Sequence, residues 1–148
     1  MSYTSLHYHI VFSTKARKPL LKPDILPRLT SYLGGIAREK QGRLIAANGP
    51  PDHFHLVVLL HPKTALADFI RILKTNTSRW IHQTFPEIPD FAWQDGYSAF
   101  TISYSDLSQV IRYVEEQQKH HKTLSFQEEL VALLKRHKIE YDERYIMK

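Results

Sequence analysis

Two histidines flank a phenylalanine in His53-Phe54-His55. Residues i and i+2 of a strand project to the same side. In an extended segment these imidazoles therefore point together, with Phe54 and Asp52 facing the other way. Two neighbouring imidazoles can bind a transition metal; histidines so spaced can equally line a polar cleft. A second group lies on residues 106–121, DLSQVIRYVEEQQKHH, where Leu107, Val110, Ile111 and Val114 make an apolar helical stripe. Tyr113 and Gln117 are four residues apart and share one side of that helix, offset by only ~40°. His120 or His121 continues the same edge. These residues flank the stripe, as site residues at the margin of a core would. The same spacing also serves a half-buried packing tyrosine and a surface glutamine.

Hydrophobic periodicity predicts the elements that hold these groups. Residues 6–12 alternate and are rich in β-formers, so they read as a strand. A basic connection over 13–21 follows. Pro23 and Asp24 open a helix with Ile25, Leu29, Tyr32, Leu33 and Ile36 on one face, ended by Gly42. Gly34 and Gly35 disfavour that helix locally, and a close backbone contact is expected there. Arg43–Asn48 is a second strand, 49–52 a turn, and the apolar run 53–60 a third strand, central and covered. Residues 65–85 form a helix with Leu66, Phe69, Ile70, Leu73, Trp80 and Ile81 toward the core. A loop over 86–96 carries Trp93, and 99–104 is a fourth strand. Asp106 starts the helix bearing Tyr113, and Ser125 with Glu128 makes a capping-box pattern for a last helix ending near Lys138. The order predicts an α+β fold: a ferredoxin-like β-α-β-β-α-β antiparallel sheet with two additional C-terminal helices. Two helices cover one face, and the other is left to the later helices, a partner or DNA. Such a fold does not determine function.

The chain of 148 residues is expected to form one domain over 1–148. With 43% hydrophobic and 24% charged residues it has the balance of a globular protein rather than a disordered one. No cysteine is present, which excludes disulfides and thiolate metal sites. No apolar run approaches the ~20 residues of a membrane span, and a cytoplasmic location is expected. The net charge of +5 is uneven: residues 1–50 carry eight Lys or Arg against two acids, and 51–148 carry twelve against thirteen. A basic amino-terminal third is what a phosphate-facing surface would carry.

Several segments together resemble the single-tyrosine HUH transposases of small bacterial insertion sequences and their palindrome-associated domesticated relatives. They are Pro51-Asp52-His53-Phe54-His55-Leu56-Val57-Val58, then Trp93-Gln94-Asp95-Gly96-Tyr97-Ser98-Ala99-Phe100, then Tyr113-Val114-Glu115-Glu116-Gln117 with His120-His121. HUH denotes two histidines around a bulky hydrophobic residue, here Phe54. The resemblance runs from Tyr8 to Tyr145 and implies a role for each matching residue. His53, His55 and Gln117 would ligate a divalent metal, Mg²⁺ or Mn²⁺, with Gln117 acting through its amide oxygen. Tyr113 would be the nucleophile that cuts and rejoins single-stranded DNA through a 5′-phosphotyrosine. The resemblance further implies a homodimer, DNA with hairpin ends as partner, and an active site completed within or across subunits. That ligand set is neutral, which favours an anionic phosphate as a further ligand. No general base for Tyr113 is evident; Glu116 lies ~60° away around the helix.

DNA contacts are expected from Lys15, Arg17 and Lys18 after the first strand and from Arg71, Lys74 and Arg79 on the second long helix. Trp80, Trp93 and Tyr97 could stack unpaired bases, with core or loop packing as the alternative for the tryptophans. Two other functions share the fold: a domesticated nuclease acting on palindromic repeats, and a non-catalytic nucleic-acid-binding module. The joint presence of His53, His55, Tyr113 and Gln117 argues against the last.

Overall fold

Alternation along the two central strands divides the sheet into a greasy face and a working face. The structure is a computed structural model; it describes residues 1–121 and 124–146, with residue 120 described by its backbone only. The strands are β1 (His7–Ser13), β2 (Arg43–Asn48), β3 (His53–Leu59) and β4 (Ser98–Ile102). They pair antiparallel in the order β2-β3-β1-β4. With α1 (Leu26–Glu39) and α2 (Leu66–Thr84) in the crossovers, this is the expected ferredoxin-like α+β arrangement. Ile10, Phe12, Phe54, Leu56 and Val58 pack against Leu29, Leu33, Phe69, Ile70 and Leu73 of those helices. Their neighbours in sequence, His9, Val11, His53, His55 and Val57, are buried too, which alternation assigns to the opposite face.

The later helices cover that opposite face. Val114 of α3 (Leu107–Glu115), with half-buried Leu107, Val110 and Ile111, packs on Ala46, Val57 and Ile102. Phe126, Leu130 and Leu134 of α5 (Phe126–Arg136) pack on Val11 and Phe100. Ser125 caps α5 as expected: its hydroxyl accepts from Glu128 N at 3.2 Å, and Glu128 returns a bond to Ser125 N. A short α6 (Glu143–Ile146) follows. Among the described residues, no helix is long and apolar enough to cross a membrane.

Four local expectations are corrected. Helix α1 begins at Leu26, three residues past Pro23, with Pro27 in its first turn, where a missing N–H is harmless. Its end is turned by Gln41, which takes the left-handed conformation at φ 60°. Gly42 serves instead by close approach: a Cβ there would stand 2.5 Å from the carbonyl oxygen of Leu59. Among the described residues, an added Cβ at Gly34 or Gly35 would meet only the Arg38 side chain, so the expected close backbone contact does not form. The helix expected over 106–121 is broken at Glu116 (φ −98°, ψ 20°) into α3 and α4 (Gln117–His120). Asn48 compensates the break, donating from Nδ2 to Glu115 O at 2.9 Å and exchanging amide hydrogen bonds with Gln118.

Candidate active site and metal centre

The period of β3 brings His53 and His55 together on the working face, both fully buried. Three further elements converge on them. From α3 comes Tyr113, whose ring lies 5.9 Å from that of His55. From α4 comes Gln117, fully buried, and from the segment after it His121. From α5 comes Glu129, 1% exposed. One carboxylate oxygen, Glu129 Oε1, lies 3.1 Å from His53 Nε2, 2.9 Å from His55 Nε2 and 3.1 Å from His121 Nε2. The other, Oε2, accepts from the Tyr113 hydroxyl and from Gln117 Nε2 at 3.2 Å. The three imidazoles and the carboxylate keep their donor atoms within 4.8 Å of one another, a grouping that could hold a metal ion.

Outer partners aim two of these rings. His53 Nδ1 lies 2.8 Å from Asp52 Oδ1. Asp52 was expected on the opposite face, but it ends the tight turn before β3 and its carboxylate folds back to the ring. An ionised carboxylate only accepts, so His53 Nδ1 carries the proton and Nε2 is left to face inward. His55 Nδ1 lies 2.8 Å from Nε2 of His9, on β1. A proton on His55 Nδ1 gives that ring the same polarity.

The electrostatics follow from burial and these contacts. Burial, with His55 alongside, pushes the pKa of His9 down to about 3, so His9 is neutral. Burial also lowers His55, against the pull of Glu129. At His53 burial acts in the same direction, but the hydrogen bonds to Asp52 and Glu129 outweigh it and hold the pKa above its ordinary value. Burial alone would raise Glu129; the imidazoles of His121, His53 and His55 reverse this and hold it well below the carboxylate range. Burial and the Glu129 carboxylate push the Tyr113 phenol well above its ordinary value, so it is a neutral donor here.

Gln117 provides a test of whether the residues suit a metal. Its Oε1 is buried and has no hydrogen-bond partner among the described residues. A buried amide oxygen without a partner is destabilising, and a cation would satisfy it. Imidazole nitrogens, an amide oxygen and a carboxylate are also ordinary ligands of divalent ions. Glu129 places a negative charge beside the expected ligands His53, His55 and Gln117, which are themselves neutral. A cavity of about 450 Å³ opens beside Tyr113 and Glu129, walled in part by Phe100, Val110, Leu133 and His137.

The structure thus gathers His53, His55, Tyr113 and Gln117 in one chain. His121 joins them at the half-buried margin, while the side chain of His120 lies outside the described residues. Sequence reasoning missed His9, Asp52 and Glu129. Glu129 did leave a signal: it is a charge on the stripe shared by Phe126, Leu130 and Leu134, where an apolar residue would normally sit.

The basic residues gather elsewhere. Lys15 and Arg17 lie in a 3-10 turn after β1, and Lys15 N donates to Ala92 O. Lys18 pairs with Asp90 at 3.1 Å, both exposed. Lys74 donates to Gln94 O at 2.8 Å and to Gly96 O, and burial lowers its pKa to about 8. Lys15, Lys18 and Lys74 therefore border the loop before β4, and Arg71 and Tyr97 line the same groove beside Lys74. Arg79 is exposed further along α2. The tryptophans serve packing: Trp80 stacks on Tyr32 at 4.8 Å, and Trp93 is buried with its Nε1 donating to Thr77 Oγ1 at 2.9 Å. Tyr97 is 41% exposed and so accessible to a base.

Known proteins are similar to this chain in sequence and fold. The family model "Transposase IS200 like" matches residues 2–117. The ISDra2 transposase TnpA of Deinococcus radiodurans is 27% identical over 117 residues, covering 76% of this chain and 84% of that protein. The transposase for insertion sequence element IS200 of Salmonella typhimurium is 25% identical over 121 residues, covering 78% of each. A crystal structure of a transposase from Deinococcus radiodurans superposes with a TM-score of 0.65 at 28% identity, over 78% of this chain and 93% of that one. A REP-associated tyrosine transposase bound to a REP hairpin shares the fold, with a TM-score of 0.62 at 14% identity, over 82% of this chain and 72% of that one.

Proposed function

Because this chain belongs to the IS200-like transposase family, we propose that it cuts and rejoins single-stranded DNA with Tyr113 as nucleophile. The phenol oxygen attacks the scissile phosphorus, the bond from phosphorus to the 3′ oxygen breaks, and a 5′-phosphotyrosine forms. The phenol gives up one proton and the departing 3′ oxygen takes one, so a free 3′-hydroxyl results. A 3′-hydroxyl attacking in reverse restores the phosphodiester and the phenol, with no external energy source. Glu129 Oε2 accepts from the phenol and is the group placed to receive its proton.

His53 and His55, through Nε2, and Gln117, through Oε1, would hold a divalent ion, Mg²⁺ or Mn²⁺. When bound, that ion supplies positive charge to the phosphoryl oxygens, where negative charge builds during transfer. Asp52 and His9 fix the inward aim of the two rings. The single observation that carries this reading is the meeting at one carboxylate: Glu129 touches the Tyr113 hydroxyl with one oxygen and both HUH imidazoles with the other. It also favours catalysis within one chain.

The DNA would have hairpin ends, as with the REP hairpin bound by the related structure. Lys15, Arg17, Lys18, Arg71, Lys74 and Arg79 would meet its phosphates, and Tyr97 an unpaired base. A homodimer is proposed with it; light scattering giving 17.4 kDa, the mass of one chain, would count against that.

The test is a detergent-resistant adduct. Protein is mixed with single-stranded, hairpin-ended DNA and Mn²⁺, then denatured. The native protein should give a slow-migrating covalent band, Tyr113→Phe none, and double-stranded DNA little. An adduct from Tyr113→Phe refutes the assignment.

A further inference from the structure

We infer that His121 and Glu129 complete a four-donor metal site with His53 and His55, so that the protein takes up a first-row transition-metal dication such as Mn²⁺ before DNA arrives. The inference rests on the function proposed above and narrows its metal. It adds a ligand set that the three residues His53, His55 and Gln117 do not provide.

His53 directs its Nδ1 proton outward to Asp52, so its Nε2 faces the cluster. Beside it stand His121 Nε2 at 3.1 Å and the carboxylate oxygen Glu129 Oε1 at 3.1 Å. His55 Nε2 faces the same oxygen at 2.9 Å. Imidazole nitrogens and a carboxylate oxygen meet at such distances only with positive charge between them, supplied by ring protons in the metal-free protein and by a cation that displaces them when one binds. Ligands that share one ion at bonds of ~2.0–2.2 Å stand roughly 3–4 Å from one another; Glu129 Oε1 stands 2.9–3.1 Å from the three imidazole nitrogens, and all four donor atoms lie within 4.8 Å of one another. The amide oxygen of Gln117, buried and without a partner among the described residues, is a fifth donor at the same place.

Position along the chain distinguishes the two added donors. The family match ends at residue 117, whereas His121 and Glu129 follow it. Glu129 is delivered by α5, which the Phe126, Leu130 and Leu134 side chains seat on Val11 and Phe100. The carboxylate gives the donor set one negative charge, so the dication is partly neutralised without a phosphate. Three imidazoles suit first-row transition dications, and the carboxylate and amide oxygens admit Mn²⁺ among them, whereas Mg²⁺ prefers oxygen ligands throughout and retains its waters. Glu129 would also join the ion to the nucleophile, because its second oxygen holds the Tyr113 hydroxyl.

Calorimetric titration of chelator-treated, DNA-free protein with Mn²⁺ alone and with Mg²⁺ alone tests this. The expected result is one Mn²⁺ per chain, with Mg²⁺ at least about tenfold weaker. Glu129→Gln and His121→Gln should each weaken Mn²⁺ at least about tenfold and change the Mn²⁺ paramagnetic resonance spectrum. The His121 side chain is 10% exposed at the site's margin; if Glu129→Gln does not fold, His121→Gln alone decides. Unchanged Mn²⁺ uptake by the folded variants, or Mg²⁺ binding as tight as Mn²⁺, overturns the inference. The adduct assay separates the two readings. Native protein that binds Mn²⁺ yet gives no adduct refutes the proposed reaction and leaves the metal site standing. Variants with native Mn²⁺ uptake and a normal adduct refute the metal site and leave the reaction standing.

Discussion

Phe126→Ala should loosen α5 without unfolding the sheet. Phe126 is 6% exposed, lies 4.3 Å from the His53 ring and shares a cluster with Val11, Phe100, Leu130 and Leu134. Truncating a buried phenylalanine costs about 3–5 kcal/mol, and the residual exposure of Phe126 places this site at the lower end, about 3 kcal/mol. The main core lies on the other face of the sheet and does not include these side chains. The loss therefore falls on docking of α5. At ~1.4 kcal/mol per factor of ten, α5 should open about a hundredfold more often. Native-state hydrogen exchange on metal-free protein reads this directly. Amides of α5 should exchange about a hundredfold faster, and those of β1 and β3 should change little. Equal acceleration in the strands, or none in α5, would refute the view that α5 is a separately docked carrier of Glu129.

Other consequences concern the scaffold around the site. Thr77→Val leaves the buried Trp93 Nε1 without its acceptor and should destabilise by about 1–3 kcal/mol in denaturant titration; an unchanged midpoint would contradict the packing role of Trp93. Gln41→Gly relieves a left-handed residue at φ 60° and should add about 1 kcal/mol, raising Tm by roughly 2–4 °C; a lower Tm would contradict it. Lys74 should show its Cε resonance titrating near pH 8 rather than 10.5. The sign follows: between about 8 and 10.5 the unfolded chain binds more protons at this residue, so its contribution makes stability rise with pH across that window. Lys74→Gln should flatten that rise, and an identical pH profile would contradict the assignment.

Local periodicity made part of the site legible. A two-residue repeat placed His53 and His55 on one face of β3, and helical spacing placed Tyr113 and Gln117 on one edge, although the helix breaks between them. The break itself depends on Asn48, 67 residues away from Glu115 in the chain, and no local pattern reports such a partner. Glu129 was visible as a charge on an apolar stripe, yet its partners are set by how α5 crosses the sheet. His9 is one of two histidines on β1, and only the register against β3 brings it to His55. Asp52 escapes the alternation of β3 because it lies in the turn one residue before the strand begins. The basic residues were found by composition, whereas their shared border on the loop before β4 comes from tertiary hydrogen bonds.

The most direct test of the account is to locate the covalent bond. The native protein is reacted with hairpin-ended single-stranded DNA and Mn²⁺, and the adduct is digested with nuclease and trypsin and analysed by mass spectrometry. Cleavage after Arg112 and Lys119 yields the peptide 113–119, YVEEQQK, whose one tyrosine is Tyr113. That peptide should carry the mass of a 5′-phosphonucleotide. A nucleotide found on any other tyrosine-bearing peptide, with this one unmodified, would contradict the account.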